Sequence, residues 1–245
     1  MAKSAAAEMP FLDHLEELRM RILWVLGAVL IGVGIAFWLM TKYDVIGLLE
    51  GPILPYLNGK KLIFTQPGDA FRIVMMLSFV LGVIFALPVI LYQVWAFLSP
   101  ALYQHEKRLV VPVFIVATAL FLGGVALSFY VIMPLILGFL MGFQTAALDP
   151  MITASGYFGF ALSISLAFGA VFELPILVFI LTALGIVTPE FLNKYRRHAI
   201  ILCIVGAAFI TPGADPTSLF VLSIPLYLLF EASVGISVVV AGVRR

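Results

Sequence analysis

An all-α integral membrane protein, built as six transmembrane helices with both termini on one side, is predicted by three observations. The chain is 63% hydrophobic and only 11% charged, where ordinary soluble domains carry roughly 25% charged residues. Its apolar residues gather into six runs, at residues 22–40, 71–98, 109–133, 157–187, 198–211 and 218–243, each bounded by charges, proline or glycine. Of the 14 basic residues, Lys3, Arg19, Arg21, Lys107, Arg108, Lys194, Arg196, Arg197, Arg244 and Arg245 fall on one side of that bundle, leaving Lys42, Lys60, Lys61 and Arg72 on the other. Basic residues mark the cytoplasmic side, so both termini are expected there. The whole chain, 1–245, reads as one membrane domain.

Ahead of the first span, Phe11, Leu15, Leu18 and Ile22 recur at helical spacing on one face, while His14, Glu17 and Arg21 share another. An interfacial helix over 10–21 is expected, in which Glu17 stands four residues before Arg21 and forms an ordinary ion pair worth a few tenths of a kcal/mol. The run 22–40 has the length of a full span, has no small-residue cleavage site and is followed by Lys42. It is therefore expected to stay in the mature chain, which begins near Met1. Residues 41–70 contain Pro52, Pro55, Pro67 and Gly68 among apolar Ile53, Leu54 and Leu57, the pattern of a folded cap, with Asp69 as N-cap of the second span. The loop 144–156 carries no Lys or Arg and reads as a second packed cap.

The last two spans are expected to be short. Residues 198–211 make about 21 Å of helix at 1.5 Å per residue, against a hydrocarbon thickness of about 30 Å. The sixth run returns after the turn 212–217, and an equal descent ends at Glu231, which is therefore expected at the cytoplasmic headgroups. Residues 232–243 are left to project or to lie along the surface.

Glu173 stands alone as a carboxylate in the middle of the fourth run, and a charge at bilayer depth costs several kcal/mol unless it faces a cavity or a partner. Pro175 cannot donate a backbone hydrogen bond, so the carbonyl of Val171 is freed one turn earlier and also needs a polar partner. The structural alternative is a protonated Glu173 bonded to Ser163, Ser165 or Thr182. A partial repeat frames the residue. Val83 to Pro88 in the second span aligns with Ala170 to Pro175 in the fourth, and Ser99-Pro100 before Lys107-Arg108 matches Thr188-Pro189 before Arg196-Arg197, each a helix start with Pro at the first position. Within that repeat Glu173 replaces an alanine.

Other chemistry is thinly supported. The one cysteine, Cys203, lies in an apolar run and reads as a core side chain. His14, His105 and His198 sit at span boundaries, and neither a His-Glu-x-x-His pattern nor a phosphate-binding Gly-rich loop occurs, so no enzyme, metal, cofactor or nucleic-acid partner is expected. A proton- or ion-coupled transporter using Glu173 is the alternative function, although its usual signs, several intramembrane polar groups and Gly-broken helices in both halves, are thin here. Glu17 and Glu106, on separate elements at the cytoplasmic surface, can together grip two guanidinium groups by paired, charge-assisted hydrogen bonds.

Residues 14–19 (His-Leu-Glu-Glu-Leu-Arg), 88–97 (Pro-Val-Ile-Leu-Tyr-Gln-Val-Trp-Ala-Phe), 99–108 (Ser-Pro-Ala-Leu-Tyr-Gln-His-Glu-Lys-Arg) and 172–175 (Phe-Glu-Leu-Pro) closely resemble the TatC family. That family is the six-span receptor subunit of the twin-arginine protein translocase, and the resemblance covers nearly the whole chain. It implies a cup-shaped bundle in a bacterial inner membrane that binds twin-arginine signal peptides of folded cargo. It further implies recruitment of single-span TatA and TatB type subunits into a hetero-oligomer of several copies, with export driven by the proton gradient. By position, Glu17 and Glu106 look like the carboxylates for the arginine pair, with Arg19, Phe97, Leu102 and Tyr103 around them, and Glu173 looks like the acid that meets a polar residue of the partner spans. The turn Pro212-Gly213-Ala214-Asp215 departs from the Pro-Pro-Asp form of some members, so no role is assigned to Asp215.

Overall fold

The computed structural model of the protein describes residues 11–57, 59–98, 110–142, 151–211 and 216–243. Helix α1, Phe11–Lys42, carries the amphipathic opening straight into the first span without a break. No proline or mid-helix polar run interrupts it, and it closes on Lys42, whose ammonium lies 4.7 Å from the Trp38 ring centroid and suits the negative end of the helix dipole. A folded cap follows. Helix α2, Val45–Leu49, starts at Asp44, whose side chain accepts from Gly47 N at 3.0 Å, and a 3₁₀ turn at Leu54–Tyr56 brings Ile53 and Leu57 into the core.

Asp69 opens α3, Asp69–Leu98, but it does not cap that helix as expected. Its Oδ2 accepts backward from Thr65 N and Gln66 N, both at 3.1 Å, and so fastens the cap to the start of α3. The reason is local: the turn at Pro67-Gly68 folds residues 65 and 66 over the carboxylate before the helix has begun. Strand-like contact then joins the two caps. Ile63 N donates to Ile152 O at 3.1 Å and Ala154 N donates to Ile63 O at 2.7 Å, while Tyr157 Oη donates to Leu49 O at 2.8 Å.

α1 and α3 run as an antiparallel pair, and the crossing point is Gly32 against Gly82. Backbone meets backbone there: a Cβ on Gly82 would stand 2.5 Å from Val33 N. Close approach of glycines substitutes for the hydrophobic drive that lipid removes. One face of α1 continues into the core through Ala36 and Met40, and the other points outward, with Trp24, Leu30 and Ile31 exposed, as a helix in contact with acyl chains should.

The third pass is α4, Val110–Leu127, a π turn at Ser128–Ile132 and α5, Met133–Gly142. It continues nine residues beyond the expected end at 133. Pro134 has no N–H to give the preceding turn, and the widened turn lies immediately before it. Ser128 there faces Ser165 across a buried 3.3 Å hydroxyl contact. The fourth pass comprises α6, Ala154–Val171, and α7, Leu174–Ala183, and is followed by α8, Pro189–Lys194, capped by Thr188, whose Oγ1 accepts from Phe191 N at 3.2 Å.

The fifth pass, α9, Arg196–Ile210, has only 15 residues, about 22 Å. The sixth, α10, Pro216–Val243, is a single helix of 28 residues. Glu231 in α10 meets Arg196 at the start of α9, so the level of that start is reached at residue 231. The remaining turns do not project alone, because Ser233, Val234 and Ser237 are buried and Thr182 Oγ1 on α7 donates to Ser237 Oγ at 3.0 Å. One core cluster joins the third to sixth passes through Ile136, Ile164, Phe168, Ala207 and Leu222.

Candidate functional site

Two carboxylates single themselves out, one at the end of the bundle and one inside it. Glu17 lies on α1 five residues ahead of the apolar run that begins at Ile22, and its Oε1 accepts from Arg21 Nε at 3.0 Å and also from Arg21 Nη2. The same guanidinium reaches α3, giving Nη1 to Gln93 Oε1 and Nη2 to Ala96 O, each at 3.1 Å. Glu17 is thereby set beside the end of α3, where the half-buried Phe97 follows Ala96. Arg19 is exposed on α1. Leu102, Tyr103, Glu106 and Asp215 lie outside the described residues. Neither Gln93 nor Ala96 carried a role in the sequence reading; the one available signal was a lone amide, Gln93, on an otherwise apolar helix.

Glu173 sits in the gap between α6 and α7. α6 closes with Phe172 N on Phe168 O at 2.9 Å, the chain tightens with Glu173 N on Ala170 O at 3.2 Å, and Leu177 N on Glu173 O at 2.9 Å opens α7. Pro175 lies at the first turn of α7 and has no N–H to continue the ladder of α6. The matching Pro88 lies within an unbroken α3, where Ala86 is only 3% exposed, whereas Glu173 at the equivalent place is half-buried. Its Oε1 is buried without a hydrogen-bond partner. The internal partners considered for it are engaged elsewhere or turned away: Ser165 faces Ser128, Thr182 bonds Ser237, and Ser163 is exposed.

A third polar set escaped the sequence reading. Arg196 Nη2 donates to Glu231 Oε2 at 2.8 Å and Tyr227 Oη donates to Glu231 Oε1 at 2.6 Å; the spacing of four between Tyr227 and Glu231 was its only trace. An apolar cleft of about 670 Å³ opens between the cap at Pro52, α3 at Ile84 and the third pass at Phe129, apart from Glu173. Among the described residues no three His, Cys, Asp or Glu side chains gather to hold a metal ion.

These features define a multi-pass helical membrane protein whose charged groups mark the bundle's end and one break within it. The family model for the Sec-independent protein translocase protein TatC matches residues 13–225. TatC of Koribacter versatilis is 37% identical over 250 residues, covering 100% of this chain and 91% of the relative, and TatC of Aquifex aeolicus is 39% identical over 228 residues, covering 92% and 93%. TatC of Escherichia coli K12 is 36% identical over 240 residues, covering 96% and 91%. A crystal structure of the twin arginine translocase receptor TatC superposes with a TM-score of 0.82 at 37% identity, covering 93% of this chain and 99% of that one. The chain belongs to the TatC family, a family of protein translocases rather than of enzymes.

Proposed function

We propose that the chain is the signal-peptide receptor and core subunit of a twin-arginine translocase in a bacterial inner membrane, with both termini cytoplasmic. Glu17 and Glu106 grip the two arginines of a signal peptide on folded cargo, with Arg19, Phe97, Leu102 and Tyr103 around them. The observation that carries this reading is the half-buried carboxylate of Glu17, held by an Arg21 guanidinium that is itself bonded to Gln93 and Ala96 near the end of α3, in a chain of the TatC family. A carboxylate at that depth is less screened than one in bulk water and accepts a guanidinium through paired hydrogen bonds.

Glu173 recruits single-span TatA and TatB type subunits into a hetero-oligomer of several copies. Its buried Oε1 without a partner supports this, because a polar side chain from a second helix would satisfy it. Export draws on the proton gradient rather than on a reaction of this chain.

The test is binding of a synthetic signal peptide to the purified chain in detergent, with Arg-Arg or Lys-Lys at the paired positions, in wild type and Glu106→Ala. A strong Arg-Arg preference that the variant loses is expected. Equal binding of both peptides by folded wild type would sink the receptor reading. In cells, Glu106→Lys is expected to abolish export of a folded reporter while the protein remains inserted.

A further inference from the structure

We infer that Arg21 is a positioning residue that sets the Glu17 carboxylate for recognising arginine over lysine, an inference that rests on the reading of Glu17 as a signal-peptide ligand. An ordinary helix pair four residues apart touches nothing else. Arg21 does: besides Glu17 Oε1 its guanidinium holds Gln93 Oε1 and the carbonyl of Ala96, both at 3.1 Å on α3. The fork is therefore anchored on a second helix independently of Glu17, and Glu17 is anchored on the fork.

Both Arg21 donors that reach Glu17 converge on one oxygen, Oε1, which fixes where that oxygen sits against α3. The two side chains are 22% and 23% exposed, so they lie deeper than the surface pairs whose contribution averages near zero. A carboxylate held in place suits the directional donors of an incoming planar guanidinium and gains little from an ammonium, which is a point charge that pairs equally well with a loose partner. Only arginine fills position 21 in this scheme. Lysine keeps the charge but offers its donors from a single nitrogen, without the fork by which Nε, Nη1 and Nη2 reach Glu17, Gln93 and Ala96 from separate positions.

The experiment compares Arg-Arg and Lys-Lys signal peptides on the full chain in detergent, using wild type, Arg21→Lys, Gln93→Ala and Glu17→Gln. Thermal unfolding of each variant serves as the fold check. The Arg-Arg over Lys-Lys ratio is expected to fall about tenfold in Arg21→Lys, the equivalent of one lost charge-assisted hydrogen bond, and by a smaller factor in Gln93→Ala. An unchanged ratio in folded Arg21→Lys overturns the inference, as does tighter Arg-Arg binding, which would make Arg21 an internal competitor for Glu17. Should Arg21→Lys fail to fold, an unchanged ratio in Gln93→Ala overturns it instead. Glu17→Gln separates the two levels. If it leaves binding intact, the reading of Glu17 fails; if it weakens binding while Arg21→Lys keeps the ratio, only the positioning role fails.

Discussion

Arg196 and Glu231 form an ion pair of 2.8 Å between the start of the short helix α9 and the middle of α10, with Tyr227 donating to the second carboxylate oxygen. The pair locks the fifth pass to the sixth at the first residue of α9. Its side chains are 47% and 31% exposed, so water screens it and the contribution should be about 1 kcal/mol or less. Thermal unfolding of Arg196→Ala, Glu231→Ala and the double variant should therefore give small, strongly non-additive losses. Additive losses would mean that the two side chains act through other neighbours.

The α1–α3 crossing predicts a larger effect from a smaller change. In Gly82→Ala the new methyl would lie 2.5 Å from Val33 N and 2.6 Å from Val33 Cγ2. A backbone cannot step aside as a side chain can, so the helices must part, at about 1–3 kcal/mol. Gly27→Ala on the same α1 has nothing within 4 Å and should be neutral or stabilising through helix propensity alone. Melting temperatures of the two variants in detergent check the contrast, and equal values would remove the close crossing as a source of stability.

The difference between those glycines shows where sequence reading stops. Helical passes were legible because lipid imposes long apolar runs with charges at their ends. Glu173 and the pairing of Glu17 with Arg21 were legible because a charge in such a run, or four residues from its opposite, stands out locally. What tied Arg21 to Gln93, Asp69 back to Thr65, and Ser237 to Thr182 was not legible, since each depends on which helix lies against which. The π turn at Ser128–Ile132 was hidden for a related reason: proline signals a disturbed ladder without saying how the turn relaxes.

Glu50 gives the cap a pH dependence whose sign follows from its surroundings. Burial, and then the nearby Asp44, push its carboxyl above the ordinary carboxylate range, while Lys61 pulls it partly back. A folded pKa raised above the unfolded one contributes stability that is complete below the ordinary carboxylate pKa and is lost as pH rises through the raised value. The cap should thus be tightest in acid. The amides of Ile53 and Leu54 donate to Glu50 O at 3.0 and 3.1 Å, so their hydrogen-exchange protection factors should fall as pH rises through that range. Glu50→Gln should abolish the trend, and a trend that survives the substitution assigns it to another group.

Removing the Glu173 carboxylate should leave the fold intact or strengthen it. An unpartnered buried polar atom carries an unreturned desolvation penalty of about 1–3 kcal/mol, and Oε1 is such an atom. Neighbouring hydroxyls are spent on each other, Ser128 on Ser165 and Thr182 on Ser237, so no internal bond is broken when the side chain is cut to alanine. Glu173→Ala should therefore insert normally and melt at or above the wild-type temperature. It should also keep its affinity for a twin-arginine peptide while losing crosslinking to single-span partner subunits. Loss of insertion or a lower melting temperature would make the carboxylate a structural element of the break between α6 and α7. Undiminished crosslinking in a stable variant would detach partner recruitment from this residue, since the side chain would then be carrying its penalty for some other ligand.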